Sequence, residues 1–292
     1  MKLDGRRESN NVDDRRRSGG LAGMPGGMGK MGIGGVILVA LITWMMGGNP
    51  LDALQTVNLQ DMANVSEQSD RQFTPEEEEL AHFSRQILAG TEDVWKEEFR
   101  KMGRTYEPPR MVLYTGSVQT ACGNGQAAMG PFYCSGDQCL YIDLSFFTQM
   151  KSQLGADGDF AYAYVIAHEV GHHVEYLLGT LNNAHEKMSR LSKAEANKVS
   201  VRLELLADFY AGVWAYHDNK MFGSLEEGDL EEAIDCAHKI GDNYLQQKAQ
   251  GRTVPESFTH GTSAQRMRWL KLGLTTGDVK RGTTFSVPYE QL

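Results

Sequence analysis

The sequence has no excess of basic residues. Of its 292 residues, 29 are lysine or arginine and 38 are aspartate or glutamate, which gives a formal net charge of −9. Proteins that bind nucleic acid usually carry a basic patch, and the globular part of this chain has none. The charge balance therefore counts against nucleic acid as a partner.

Cysteine is also scarce, and the four residues are Cys122, Cys134, Cys139 and Cys236. Their spacing contains no C-x2-C pair, so the pattern typical of a structural zinc site is missing. Their even number is compatible with disulfides in an exported protein. We expect Cys122 to pair with Cys134, which leaves Cys139 with Cys236, while the other two pairings stay open.

One uncharged apolar run stands out, at residues 31–48. Its 18 residues are at the short end for a membrane-spanning helix. Basic residues concentrate before it, and Asp52 and Asp61 follow it, an asymmetry that predicts a cytoplasmic N-terminus and an exported remainder. No small-residue A-x-A site follows the run, so an uncleaved anchor is favoured over a signal peptide.

These features divide the chain into four parts. Residues 1–30 are polar, glycine-rich and basic, and we interpret them as a disordered cytoplasmic tail. Residues 31–48 form the predicted transmembrane anchor, and residues 49–73 form a polar linker without periodicity. Residues 74–292 remain as one domain, which is long enough to bury a substantial core.

The most informative segment reads HEVGH, at residues 168–172. In a helix His168 and His172 lie one turn apart on one face, so both imidazoles can reach one metal ion. Glu169 lies beside them, where its carboxylate can take a proton from an attacking water. Residues 160–178 are apolar on nearly all sides, which predicts a buried helix. Buried polar groups without partners are costly, so metal binding is favoured over two core histidines bonded to carbonyl groups.

Catalytic zinc usually has three protein ligands, so a third ligand must come from elsewhere. An extended motif would place a third histidine six residues after the second, but that position is Leu178. Glu175 shares the helix face, yet it lies about 10 Å of helix rise from His168, too far for both to bind one ion. Residues 193–217 have a long helical pattern and contain Glu204, which we predict as the third ligand.

Asp208 lies one turn after Glu204 on the same predicted helix face. It is placed to accept the free N–H of a ligating histidine, which we expect to be His168, and so to fix the tautomer of that ring. Glu195 is the weaker alternative to Glu204, because no acid follows it one turn on. Glu204 and Asp208 stand among apolar residues, and buried carboxylates are rarely left unpaired.

Several segments together resemble the bacterial family of neutral zinc metallopeptidases, which are membrane-anchored. The similar segments read GRRESNNVDDRR, CGNGQAAMGPFYCSGDQCLYIDLSFF, HEVGHHVE, ELLADFYAG and FTHGTSAQR. More distantly, HExxH followed by ExxxD resembles the zincin metallopeptidases with a glutamate ligand. That resemblance implies one zinc ion per chain, held by His168, His172 and Glu204, with Glu169 as the catalytic base. With the predicted anchor, the expected placement is single-pass in the bacterial inner (cytoplasmic) membrane, with the C-terminal domain periplasmic or extracellular.

His260 is a candidate for a second catalytic role. It lies in a polar loop just before a predicted helix that opens with a capping-box pattern from Thr262 to Gln265. In peptidases with a glutamate ligand, a donor from late in the chain can stabilise the oxygen of the tetrahedral intermediate. The alternative is an ordinary histidine of a surface loop.

The predicted fold is α+β and zincin-like: mostly helical, with a small sheet beside the HExxH helix and one transmembrane helix before it. Strands are predicted at residues 110–114 and 140–143, with an edge strand at residues 131–134 that starts with proline. The predicted function is hydrolysis of a peptide or protein substrate that pairs with this edge strand. The alternatives are a zincin-fold binding or scaffolding module that keeps zinc without turnover, and a hydrolase of other bonds.

Overall fold

The computed structural model describes residues 1–17 and 72–292. Within these ranges the chain forms eight α-helices, six strands and several single turns of 3-10 or π helix. The helices are α1 (Pro75–Lys101), α2 (Ser145–Gln149), α3 (Asp159–Leu178), α4 (Thr180–Met188), α5 (Lys193–Phe222), α6 (Asp229–Lys239), α7 (Asp242–Gln250) and α8 (Ser263–Thr276). The strands are β1 (Val12–Asp14), β2 (Arg110–Tyr114), β3 (Ser117–Thr120), β4 (Gly123–Gln126), β5 (Phe132–Cys134) and β6 (Cys139–Asp143).

Local sequence signals set where two of the helices begin. At the start of α1 the Thr74 hydroxyl accepts from the Glu77 amide at 3.2 Å, and the Glu77 carboxylate accepts from the Thr74 amide at 2.8 Å. Pro75 occupies the first helical position, where its missing N–H costs nothing. Thr262 and Gln265 form the same reciprocal cap at the start of α8, as predicted.

The larger sheet has the strand order β1-β2-β6-β5. β1 and β6 both run parallel to β2, whereas β5 is antiparallel to β6 and lies at one edge. β3 and β4 form a separate antiparallel hairpin. The edge strand contacts α3, so the small sheet lies beside the HExxH helix. The predicted α+β class, mostly helical with a small sheet, is confirmed.

The helices pack around α3, which is buried on nearly all of its faces because its residues are mostly apolar. α5 packs on α3, and α8 packs closely on α5. At Gly212 a Cβ atom would overlap the carbonyl oxygen of Leu270, and at Gly273 it would overlap that of Phe209. Only glycine therefore permits the close contact between α5 and α8.

Residues 1–17 are part of the fold. Val12–Asp14 pairs with β2 at the edge of the sheet. The guanidinium of Arg6 donates two hydrogen bonds to the carboxylate of Asp218, at 2.7 and 3.2 Å. The prediction of a disordered tail at residues 1–30 is therefore wrong for this part, and the rest of that range lies outside the described residues. The basic composition of this segment suggested disorder, because the acidic partner of Arg6 lies 212 positions further along the chain.

The predicted membrane placement is also corrected. No helix within residues 1–17 and 72–292 is long and apolar enough to cross a membrane. The predicted anchor at residues 31–48, and nearly all of the predicted linker, lie outside the described residues. Since β1 and β2 belong to one sheet, a chain that crossed a membrane once between them would separate two paired strands. The single-pass topology, with the C-terminal domain periplasmic or extracellular, is therefore wrong.

A disulfide joins Cys122 to Cys134, as predicted. Cys122 lies in the turn between β3 and β4, and Cys134 ends β5, so the bond ties the hairpin to the edge strand. Cys139 and Cys236 are free and buried. The predicted bond between them is wrong, because Cys139 packs in a small cluster beside the sheet whereas Cys236 packs in the main helical core.

Replacing Arg6 with alanine should destabilise the fold by about 3–5 kcal/mol, because Asp218 stays buried after losing its cation. Arg7→Ala is the matched control. Arg7 is 47% exposed and pairs with Glu92 and Asp93 at the surface, an interaction worth at most about 1 kcal/mol. Urea unfolding measures both losses. A loss for Arg6→Ala of about 1 kcal/mol or less, as expected for the surface pair of Arg7, would mean that the N-terminal segment is not integral to the fold.

Candidate metal centre

The helices that carry the predicted ligands cross closely at Gly171 of α3. A Cβ atom on Gly171 would lie only 2.9 Å from the Cα and the carbonyl oxygen of Ala207 on α5. A larger residue would therefore push the two helices apart. The crossing brings the face of α3 that carries His168 and His172 against the face of α5 that carries Glu204.

The three predicted ligands converge at this crossing. Nε2 of His168 lies 3.2 Å from Oε2 of Glu204, and Nε2 of His172 lies 3.6 Å from Oε1 of the same carboxylate. One candidate ligand atom from each residue lies within 4.8 Å of the other two. Two imidazole nitrogens and one carboxylate oxygen form a set of donors that suits zinc. The residues therefore fit one zinc ion.

The second ring nitrogen of each histidine faces a buried carboxylate. Nδ1 of His168 lies 2.8 Å from Oδ1 of Asp208, the contact expected from the sequence. Nδ1 of His172 lies 2.9 Å from Oε2 of Glu175. When Nδ1 donates to a carboxylate, the ring is held with Nε2 toward Glu204, which is the usual support for a metal-binding histidine.

The charges at the site favour a cation. Burial raises the pKa of Glu204, but the neighbouring His260, His172 and His168 together lower it below its ordinary value, so this carboxylate stays ionised. Burial alone would lower the pKa of His168, but Asp208 and Glu204 raise it to about 10. The carboxylates thus stabilise positive charge between them. A divalent cation would supply that charge, and its binding would release protons.

Asp208 is the centre of a buried network that the sequence indicated only in part. Its carboxylate accepts from the Tyr164 hydroxyl at 2.5 Å and from two guanidinium nitrogens of Arg266 at 2.8 Å each. Burial raises the pKa of Asp208, but Arg266 and His168 lower it to about 2, so it is ionised and can only accept. Arg266 was not predicted, because no local pattern connects a residue of α8 to α5.

From the sequence, Glu175 was considered only as a metal ligand and was rejected because it lies too far from His168 along the helix. It is fully buried, and it orients His172 from one turn further along α3. Burial raises its pKa to about 7, although His172 opposes the shift. The spacing of three residues from His172 was the signal that could have identified it, because side chains at that spacing meet on a helix.

Glu169 lies on α3 between the two histidines and lines the same cleft. Its side chain is almost fully buried. Burial raises its pKa, with partial opposition from His168 and His172. A carboxylate whose pKa is raised toward neutrality is suited to accept and return a proton.

His260 also lines the cleft, in the loop before α8. Asp242 at the start of α7 holds this loop, since its carboxylate accepts from the amides of Thr259, His260 and Gly261 at 2.8 to 2.9 Å. The same carboxylate lies 3.2 Å from Nδ1 of His260. Burial would lower the pKa of His260, but Glu204 and Asp242 raise it. Asp242 was missed in the sequence because its partners lie 17 to 19 positions away in another element.

His173, next to a predicted ligand, connects α3 to the edge strand. Its Nε2 donates to the Glu107 carbonyl at 2.7 Å, which leaves Nδ1 to accept from the Tyr133 hydroxyl at 2.9 Å. Burial lowers its pKa to about 4, so the ring is neutral. His173 thereby fixes the position of β5 beside the metal centre.

A cleft of about 400 Å³ opens on the metal centre. Its walls come from β5 and the turn before it, α2 and the π turn after it, α3, α4, α5 and the loop with His260. The predicted metal ligands, Glu169 and His260 therefore face one shared space. An extended chain lying in this cleft would reach all of them.

The chain is similar to known proteins over nearly its whole length. The family model described as "Putative neutral zinc metallopeptidase" matches residues 1–285. "Uncharacterized protein YpfJ" of Escherichia coli K12 is 50% identical over 287 residues, which cover 98% of this chain and 99% of that protein. "Uncharacterized protein Rv2575" of Mycobacterium tuberculosis H37Rv is 41% identical over 191 residues, 62% of this chain and 64% of that protein. No solved structure matches the chain.

Glu204→Ala should lower zinc affinity strongly, because the cluster loses its only ligand from α5. Glu195→Ala is the matched control on the same helix, since Glu195 pairs with Lys198 at the surface. Zinc affinity is measured by competition with a chromophoric chelator. Unchanged affinity in Glu204→Ala would remove Glu204 from the ligand set.

Asp208→Asn and Glu175→Gln should each lower zinc affinity by about tenfold to a hundredfold, because each replaces the carboxylate that holds a ligating ring. The same chelator competition measures the effect. Circular dichroism must show an intact fold in each variant. If Glu175→Gln bound zinc as tightly as the wild type, the contact with His172 would have no role in metal binding.

Proposed function

Because this chain belongs to the family described as "Putative neutral zinc metallopeptidase", we propose that it is a zinc-dependent peptidase. One observation carries the proposal above all. His168 and His172 each turn one ring nitrogen to Glu204 and the other to a buried carboxylate, while Glu169 lines the same cleft. A structural metal site would need no such acid beside it.

The predicted ligands would hold one zinc ion, which when bound would act as a Lewis acid toward the scissile carbonyl and lower the pKa of water. Asp208 and Glu175 would keep the two histidine rings oriented. Arg266 fixes Asp208 in turn, through two hydrogen bonds. Each predicted histidine ligand is held by a carboxylate, and the carboxylate of Asp208 is held by Arg266. These contacts support a site whose ligands are oriented before the metal binds.

Glu169 would act as general base and then as general acid. It takes a proton from the attacking water as the water oxygen bonds to the carbonyl carbon. When the carbon–nitrogen bond breaks, Glu169 returns the proton to the leaving amine. Its buried position supports both steps, because the raised pKa brings the proton affinities of donor and acceptor closer.

His260 would donate a hydrogen bond to the oxygen that becomes negative in the transition state. The contact between Asp242 and Nδ1 of His260 supports this role, since it orients the ring and stabilises its protonated form. The alternative from the sequence, an exposed loop histidine, is disfavoured by the position of His260 in the cleft.

β5 would bind the substrate chain. It lies at an edge of the described sheet, and an extended peptide can add to such an edge through main-chain hydrogen bonds. The contact between Tyr133 and His173 supports this role by fixing the strand beside the ligands. A zincin-like fold is proposed on the same grounds: the HExxH helix lies between this sheet and a second helix that carries a glutamate.

Glu169→Gln tests turnover. The substitution is nearly isosteric, so zinc content and thermal stability should stay close to those of the wild type. Hydrolysis of a peptide library should fall by about 10² to 10⁴ or more, because the general base is lost. A chelator control excludes contaminating proteases. If the variant and the wild type cleave identically and the chelator stops neither, a zinc-stabilised binding module without turnover becomes the better interpretation.

His260→Ala should lower kcat by about 10² to 10³ and leave KM and zinc content nearly unchanged, as expected for a donor that acts in the transition state. His185→Ala is the control, because His185 also lines the cleft but lies on α4. Steady-state kinetics on one fluorogenic peptide measure both variants. Equal effects of the two substitutions would contradict the assignment of His260.

A further inference from the structure

We infer that the cleft serves an endopeptidase that accepts large apolar side chains on both sides of the scissile bond, an inference that rests on the proposed peptidase function. Two features carry it. The first is the inventory of charged groups in the cleft, and the second is the position of its apolar walls.

Among the described residues that line the cleft, the carboxylates are Glu169 and Glu204, and the guanidinium is that of Arg266. Both carboxylates belong to the metal centre. Arg266 is bound through two nitrogens to Asp208 and is almost fully buried. No described lysine or aspartate lines the cleft.

An exopeptidase must bind a charged end of its substrate. An aminopeptidase needs a carboxylate for the terminal ammonium group, and a carboxypeptidase needs a cation for the terminal carboxylate, because a charge that loses its water must gain a partner. Apart from the proposed catalytic groups, the described residues that line the cleft offer no free carboxylate for an ammonium group and no free cation for a carboxylate group. His260 is engaged with Asp242, and desolvation lowers the pKa of His185, which disfavours the cationic form of that ring. The cleft therefore suits a bond in the interior of a chain.

The apolar walls of the cleft come from two separate clusters. Phe146, Met150 and Leu154 lie on α2 and the π turn and belong to the main core. Leu181, Met188 and Leu203 lie on α4 and α5 and form part of a second cluster.

These two walls are attached to opposite ends of α3. The π turn ends at Leu154, just before α3 begins, and α4 begins at Thr180, just after α3 ends. His168 and His172 lie between the two ends, on α3 itself, and Glu204 faces them from α5. A substrate whose scissile bond is at the metal centre would therefore place side chains against one apolar wall on each side of the bond. Apolar side chains gain from this burial, whereas charged ones would lose their water without a partner.

The wild-type protein with zinc is tested on two peptide libraries of equal sequence content, one with free ends and one with an acetylated N-terminus and an amidated C-terminus. Mass spectrometry identifies the products. We expect the blocked peptides to be cleaved as well as the free ones, at internal bonds flanked by leucine, methionine or phenylalanine. Release of single residues from free ends, with blocked peptides resistant, would overturn the inference.

Leu154→Lys and Met188→Lys test one wall each. Either variant should lower kcat/KM for an apolar reporter peptide by at least about tenfold and shift preference toward an acidic residue at one substrate position. The two variants should shift different positions, because the walls lie on different sides of the bond. Leu191→Lys is the matched control, since Leu191 is 38% exposed and lies outside the cleft lining. Unchanged preference in both cleft variants would overturn the inference.

Binding of a peptide to a variant without turnover distinguishes the inferred apolar cleft from the proposed peptidase activity. Zinc-loaded Glu169→Gln protein should bind the blocked apolar reporter, and the added Leu154→Lys or Met188→Lys change should weaken that binding by at least about tenfold. If the wild type hydrolyses no peptide while this binding pattern holds, the proposed turnover fails and the apolar cleft stands. If peptides are hydrolysed but the reporter binds equally with and without the lysines, the apolar cleft fails and the peptidase stands.

Discussion

The close crossing of α3 and α5 is the constraint on which the site depends. Each helix supplies only part of the ligand set, and no ligand lies in a loop that could move to complete it. The separations of 3.2 and 3.6 Å between the histidine nitrogens and Glu204 exist because Gly171 lets the α3 backbone approach Ala207. Gly171, inside the HEVGH segment, is thus as necessary to the candidate metal centre as the two histidines.

Burial of so many charges is the second constraint. Asp208, Glu175 and Arg266 lie in the interior, where an unpaired charge would be strongly unfavourable. Asp208 and Glu175 each contact a predicted ligand, and Arg266 contacts Asp208, so the polar network holds the candidate metal centre in place. The same pairing explains why the HExxH helix can be apolar on nearly every side and still carry several titratable groups.

Sequence reasoning succeeded where spacing within one helix decides geometry. The convergence of His168 and His172 follows from four-residue spacing, and the acid pair on α5 was found by the same rule. It failed where a partner comes from a distant element: Arg266 and Asp242 had no local signal. The three-residue spacing between His172 and Glu175 was a local signal for their contact, but Glu175 was considered only as a metal ligand. The unsupported Cys139–Cys236 bond shows the same limit, because an even count of cysteines says nothing about which cluster each one enters.

The long-range pairing of the N-terminal segment has a consequence for how the protein acquires its structure during synthesis. Arg6 is translated 212 residues before Asp218. β1 likewise waits for β2, about a hundred residues later. The contact of Arg6 therefore cannot form until α1, the sheet, the HExxH helix and most of α5 have been translated. Contacts between such distant residues form late and slowly. Arg6 is thus translated early, but it completes its native contact only after Asp218 on α5 has been made.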